Sequence, residues 1–286
     1  MNFVNYCLSK GIKLFVMKRM RKFGVLMVFL MIMGLSLNPF EAKGQIIEVG
    51  VSGGLSYYIG DINPNKHFSD SQFAWGVLTR YYSSSRWAFR LSYSNISLAS
   101  SDAVIQYRPE RGLDFKAKIH DISLVAEFNF FDYWTGSRRS YVSPYIFGGF
   151  STFFFNNTPA NGTDLHSMGL WTEGVEYSNV SFAIPFGIGV KYSIGKRIGL
   201  ALEWRINKTF TDYIDDVHGL YPEADVVVDG YNYSDPTDNY LSGMQRGNSF
   251  DNDWFSYLNA SVVYKFNLPK NRNCNVGVDS KYFRYY

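Results

Sequence analysis

The chain has 286 residues, enough for one large domain or two small ones, with a formal net charge of +3 and 18% aromatic residues. So small a charge, part of it in an N-terminal basic cluster, gives no reason to expect a nucleic-acid partner. A mean hydropathy of -0.15 resembles that of a soluble protein. It leaves a membrane barrel open, because barrel strands are only half apolar and long loops dilute the average.

The N-terminus comes first. Residues 18–22 read Lys-Arg-Met-Arg-Lys, 24–37 carry no charge, and Asn38-Pro39 ends the run. Ala42 and Gly44 are small residues placed for signal peptidase. A basic region, a short apolar stretch and a small-residue exit make a secretory signal. The stretch is shorter than the roughly 20 residues of a spanning helix. The expectation is a presequence over 1–44, cleaved near Gly44, with Met17 as an alternative start. Cys7 lies in it, so the mature chain keeps Cys274 alone, which excludes an intramolecular disulfide framework. No cysteine follows the apolar stretch to make a lipoprotein.

Eight alternating runs follow, over 47–59, 73–81, 87–94, 121–130, 141–155, 182–192, 198–210 and 254–266. In the seventh, Ile198, Leu200, Leu202, Trp204, Ile206 and Phe210 share one face, while Gly199, Ala201, Glu203, Arg205, Asn207 and Thr209 share the other. Strands send successive side chains to opposite faces. A wall carrying Glu203 and Arg205 is costly in a dry core but natural inside a membrane barrel, whose outer face meets lipid. The connections alternate in length: 82–86, 131–140 and 193–197 are short, whereas 60–72, 95–115, 156–181 and 211–253 are longer. Up-and-down membrane barrels sort their loops this way, with short periplasmic turns and long outer loops. The expected fold is therefore all-β: an eight-stranded antiparallel up-and-down transmembrane barrel over 45–266, with a periplasmic tail over 267–286.

Such a barrel is just wide enough inside for side chains. Arg80, Arg90, Lys191 and Arg205 point inward in this register, as do Glu48, Asp121, Glu127 and Glu203. Unpaired buried charges are expensive, so these eight are expected to form a salt-bridged plug rather than an ion path. His166-Ser167 are adjacent, but adjacency does not make a base and a nucleophile, and no GxSxG or HExxH is present. No catalytic, cofactor or metal site is expected, and no Cys/His spacing suggests one. The run Asp212-Tyr213-Ile214-Asp215-Asp216 lies at the outer rim. Its carboxylates could hold a divalent cation or a basic partner, or simply terminate a strand and form a turn. Arg246 and the Asp251-Asn252-Asp253 run could pair with it across the rim, closing the last loop onto the barrel.

Several strand-end pieces carry a family resemblance. They are Gly54-Leu55-Ser56-Tyr57-Tyr58-Ile59-Gly60-Asp61-Ile62, Thr79-Arg80-Tyr81-Tyr82 with Arg86-Trp87-Ala88-Phe89-Arg90, and Pro144-Tyr145-Ile146-Phe147-Gly148-Gly149. The most distinctive is Phe210-Thr211-Asp212-Tyr213-Ile214-Asp215-Asp216-Val217, followed by Arg246-Gly247-Asn248, Asn252-Asp253-Trp254 and Tyr264-Lys265-Phe266. In this order they resemble the PorG-like outer-membrane proteins of Bacteroidota, a component of the type IX secretion system. The resemblance implies a non-catalytic barrel in the outer membrane, in contact with its lipids and associated with the periplasmic PorK–PorN ring. It implies no cofactor, and that the transport pore belongs to another, larger protein.

The resemblance assigns no partner-contact residues. The turn over 131–140, with Trp134, Arg138 and Arg139, is the candidate periplasmic contact, beside the tail; ordinary anchoring at the membrane interface explains the same residues equally well. Two other functions stay open: a stand-alone barrel that binds or adheres through its outer loops, and a lipid A-modifying barrel enzyme. The oligomeric state is left unassigned.

Overall fold

The computed structural model describes residues 46–137 and 140–267. The presequence, the tail from 268 onward, Arg138 and Arg139 lie outside the described residues. Eight antiparallel strands close into a barrel: β1 (Ile46–Ile59), β2 (Gln72–Tyr82), β3 (Trp87–Ser101), β4 (Asp114–Asn129), β5 (Val142–Thr158), β6 (Val180–Ile194), β7 (Ile198–Thr209) and β8 (Trp254–Asn267). Each pairs with its neighbours in sequence, and β8 pairs with β1, so no edge is left open. Turns 83–86, 130–141 and 195–197 lie at one end; loops 60–71, 102–113, 159–179 and 210–253 lie at the other.

Around the lower and middle barrel the outer wall is apolar and exposed, with Val51 at 60% and Phe150 at 76%. An aromatic girdle rings the turn end, where Trp87 meets Phe128 at 5.1 Å and Tyr264 meets Phe266 at 4.9 Å. Toward the loop end Trp75 meets Tyr93 at 6.1 Å and Phe186 meets Trp254 at 6.4 Å. An apolar band between aromatic girdles around a polar interior is the anatomy of a membrane-spanning barrel.

The hydrophobic phase then inverts. On β3, Phe89, Leu91 and Tyr93 face outward below, but above them Ile96 and Leu98 are the buried inward residues and Asn95 and Ser97 face out. On β4, Ile122 and Leu124 are exposed, whereas Phe115, Ala117 and Ile119 are buried inside, with Lys116, Lys118 and His120 outside. The wall changes solvent at that level: lipid below, water above. The strands therefore run on past the apolar band, and the loops expected over 95–115 and 156–181 shorten to 102–113 and 159–179.

The inward residues above the inversion form an apolar stopper, built from Tyr58, Ile96, Ile119, Phe115, Phe153, Phe155 and Phe255 and joined from the last loop by Ile214 and Val217. A second departure is Tyr57, which belongs to the lipid-facing set by alternation yet is fully buried. The first loop bends over the outer wall, packing Phe68 at a tilt against Tyr57 at 4.7 Å, while Trp204 Nε1 donates to the Tyr57 hydroxyl at 3.1 Å.

Candidate functional site

Four inward cations and four inward anions meet in the lower half of the barrel, with a fifth inward cation, Lys265, beside them at the turn end, where it donates to the Thr135 carbonyl. Arg80 bridges Glu48 at 2.9 Å and Glu127 at 2.8 Å. Arg90 bridges Glu127 at 2.9 Å and Glu203 at 2.6 Å. Lys191 contacts Glu127 at 2.6 Å, and Arg205 contacts Glu203 at 3.1 Å and Asp121 at 3.9 Å. All eight side chains are buried. A charge in such a place needs partners on several sides. Glu127 has three cations, and the Lys191 ammonium also lies 4.4 Å from the Tyr145 ring centre, a cation–π contact. Tyr145 donates to Glu203 at 2.7 Å. Gly189 makes room for that ring: a Cβ there would sit 2.6 Å from Tyr145 Cε1.

At the turn end, residues 133–136 fold across the mouth. Thr135 is buried and donates to Glu48; the Gly136 N–H donates to Ser193 Oγ at 2.7 Å, and the Tyr133 N–H to the Ser85 carbonyl at 3.0 Å. Trp134 is half-buried in this turn, so its ring is shared between the barrel and its surroundings.

The loop end is closed by a cap. The acidic run lies inside it, with Ile214 and Val217 dropping into the stopper. The Tyr58 hydroxyl sits between two carboxyls, 2.6 Å from Asp215 Oδ2 and in shorter contact with Asp253 Oδ1. A phenol carries one proton and can donate to one of them. The other contact needs a proton on the second carboxyl, so the three groups share two protons. Asp253 Oδ2 also accepts the Ile214 N–H at 2.8 Å, and Asp215 Oδ1 the Val217 N–H at 3.0 Å. Burial, reinforced by the Asp253 charge, pushes the Asp215 carboxyl well above the usual carboxylate range; burial and the Asp212 charge do the same to Asp253. Asp212 is pushed up to about 9 by burial and by Asp215, and its Oδ2 lies 2.7 Å from His218 Nδ1. Asp216 faces Tyr177, whose hydroxyl donates to it at 2.7 Å. Among the described residues no cluster of His, Cys, Asp and Glu has the arrangement of a metal site.

Two buried arginines staple the loops. Arg111 pairs with Asp102 at 2.8 Å and donates to the carbonyls of Asp61 at 3.1 Å and Arg246 at 3.0 Å. Arg246 pairs with Glu173 at 3.1 Å and donates to the carbonyls of Asp216 at 2.6 Å and Ser234 at 3.2 Å. Arg246 thus reaches the acidic run through its backbone, and Asp253 through Tyr58. Sequence reasoning gave no cap role to Tyr58, Asp61, Arg111 or Glu173, although Tyr58 and Asp61 stand in one of the strand-end pieces. Only Tyr58 had a usable signal: it continues the inward set of β1.

His166 and Ser167 do not form a catalytic pair. His166 Nε2 lies 2.8 Å from the Tyr177 hydroxyl, while Ser167 Oγ donates to the Asp164 carbonyl at 2.8 Å.

No curated protein matches the chain. Among solved structures it is similar to Neisserial surface protein A, NspA, at 14% identity over 78% of this chain and 98% of that one, with a TM-score of 0.42. It is also similar to the outer membrane protein OprG from Pseudomonas aeruginosa, at 12% identity over 79% and 97% and a TM-score of 0.39. A third is the outer membrane enzyme PagL, at 12% identity over 77% and 99% and a TM-score of 0.32. A family model, "Domain of unknown function (DUF6089)", matches residues 24–275. That match starts ahead of β1 and ends beyond β8, and this eight-stranded barrel belongs to the DUF6089 family.

Proposed function

We propose that the protein is a non-catalytic outer-membrane subunit of the type IX secretion machinery, fixing a periplasmic ring of the PorK–PorN kind to the membrane. The observation that carries this reading is the closure of the barrel at three levels: a buried ion-pair network, an apolar stopper and a stapled cap. A filled barrel suits anchoring rather than transport, in keeping with the PorG-like order of motifs along the chain. The half-buried Trp134, with Arg138 and Arg139 beside it in sequence, remains the candidate contact for the ring.

The test is a clean gene deletion with assay of the medium for proteins bearing type IX sorting domains. Intracellular accumulation, reversed by complementation, supports the reading; unchanged secretion overturns it. Replacing Trp134, Arg138 and Arg139 together should then abolish co-purification with ring components while leaving the barrel folded.

One observation favours a second reading, binding through the outer loops. The long last loop carries exposed apolar side chains, with Leu241 at 75% and Phe250 at 94%. A loop binder would keep its activity when the turn is altered and lose it when residues 225–240 are deleted or when Leu241 and Phe250 are replaced by serine.

A further inference from the structure

Charge is sorted by side at the loop end of the barrel. The carboxylates of Asp61, Asp212, Asp215, Asp216 and Asp253 gather within the cap. On the outer wall, just above the inversion of the hydrophobic phase, the outward positions of β4 are instead basic. His120, Lys118 and Lys116 stand in one column directly above Ile122 and Leu124, and all are exposed. Lys118 is flanked by neutral hydrogen-bonding residues on both sides, Ser97 on β3 and Asn156 on β5; Lys116 lies between Ala99 and Thr158, and His120 between Asn95 and the exposed Phe154.

The column's partners are few. His120 Nδ1 lies 2.8 Å from the Tyr93 hydroxyl, and Lys116 Nζ donates to the Ala160 carbonyl at 2.9 Å. The one carboxylate in the column, Asp114, accepts the Ala160 N–H at 2.8 Å. Lys118 has no ion-pair or hydrogen-bond partner among the described residues. Across the barrel, Lys208 on β7 is also exposed and lies 5.4 Å from the Trp254 ring centre.

The apolar band sets the height of these cations. A strand tilted in a barrel advances about 2.5 Å along the axis per residue, so Lys118 stands roughly 10 Å above Ile122. The polar layer of a bilayer leaflet is about 5–7 Å deep. A lysine can lower its ammonium toward that layer while its stem follows the wall. The wall below is already committed to lipid, and the surface just above it is cationic and rich in neutral donors. Such a surface fits phosphate groups on the headgroups of the same lipids.

We propose that the Lys116–Lys118–His120 column is a docking site for the phosphorylated headgroup of an outer-leaflet glycolipid, with Lys118 as its principal cation. The site rests on the membrane-barrel reading of the wall and adds a specific lipid contact to it.

The test uses the full mature chain folded in detergent, transferred to bilayer nanodiscs, and then examined by native mass spectrometry for retained lipid. The probes are bisphosphorylated lipid A and the same lipid stripped of both phosphates. The expected result is preferential retention of the bisphosphorylated form, reduced about fivefold for each lysine removed in Lys118→Gln and Lys116→Gln/Lys118→Gln. Lys196→Gln, in the turn at the opposite end, should leave the preference intact. Entry into nanodiscs without preference, or a preference equally lost in Lys196→Gln, overturns the site alone. Displacement of the lipid by inorganic phosphate overturns the choice of a lipid partner. Failure of the folded protein to enter nanodiscs overturns both this site and the membrane reading beneath it.

Discussion

The Tyr58 hydroxyl of β1 lies 2.6 Å from Asp215 Oδ2, a contact between residues 157 positions apart in the chain. With Asp253 on its other side, Tyr58 holds both ends of the last loop to one strand. Tyr58→Phe removes the shared hydroxyl and leaves two buried carboxyls facing each other. The expected cost to cap closure is about 1–3 kcal/mol. Limited proteolysis within 210–253 should speed up by roughly tenfold with the barrel intact. A Cβ at Gly60 would overlap both the Tyr58 hydroxyl and Asp253 Oδ1, so Gly60→Ala should reproduce the effect without touching either acid. Unchanged cleavage in both variants would refute the latch.

The latch should weaken as pH rises. Asp212 is pushed up to about 9, and Asp215 and Asp253 are raised well above their ordinary values, in each case first by burial. A carboxyl whose folded value lies above its unfolded one binds its proton more tightly when folded. Its contribution is complete below about pH 4 and lost as pH climbs toward the folded value. A spin label at position 225, in a Cys274→Ser background, should become more mobile between about pH 5 and pH 9. Asp253→Asn should flatten that profile. Mobility that falls with rising pH would contradict the assignment.

The interior network should be intolerant of single losses. Arg90→Ala strips one cation from both Glu127 and Glu203 and should destabilise the barrel by about 3–5 kcal/mol. Heat-modifiability on gels and urea unfolding in micelles would read it. A variant as stable as the parent would mean that water reaches these charges.

The same network predicts no conductance. Planar bilayers containing the folded protein should stay at background current, because Arg80, Arg90 and Lys191 cross the lumen to their carboxylates and residues 133–136 fold across the mouth. Steady single-channel steps would overturn the filled-barrel account.

Much of this fold was legible in the sequence, for a definite reason. Below the inversion, lipid outside and charge inside give each strand a clean period of two, as in Leu200, Leu202 and Trp204 against Ala201, Glu203 and Arg205. Above it the period persists while the environments exchange, so Ile96 and Leu98 read as a break in the pattern and the strand seemed to stop. The eight interior charges followed from alternation alone. The cap followed only in part: Arg246 and Asp253 were expected to close the last loop onto the acidic run, but Arg111 and Glu173 come from two other loops and join them only through tertiary closure. Tyr57 was misplaced for a similar reason: no local pattern announces that Phe68 will fold back over the wall.

The ion-pair network also constrains how this family can diverge. Glu127 serves three cations at once, and Glu203 serves two. Losing Glu127 would leave Lys191 without a carboxylate and take one from both Arg80 and Arg90, so tolerated drift there should come as matched exchanges or as wholesale replacement by apolar side chains. Aligned relatives should therefore show positions 48, 80, 90, 121, 127, 191, 203 and 205 varying in concert, as a single inherited block.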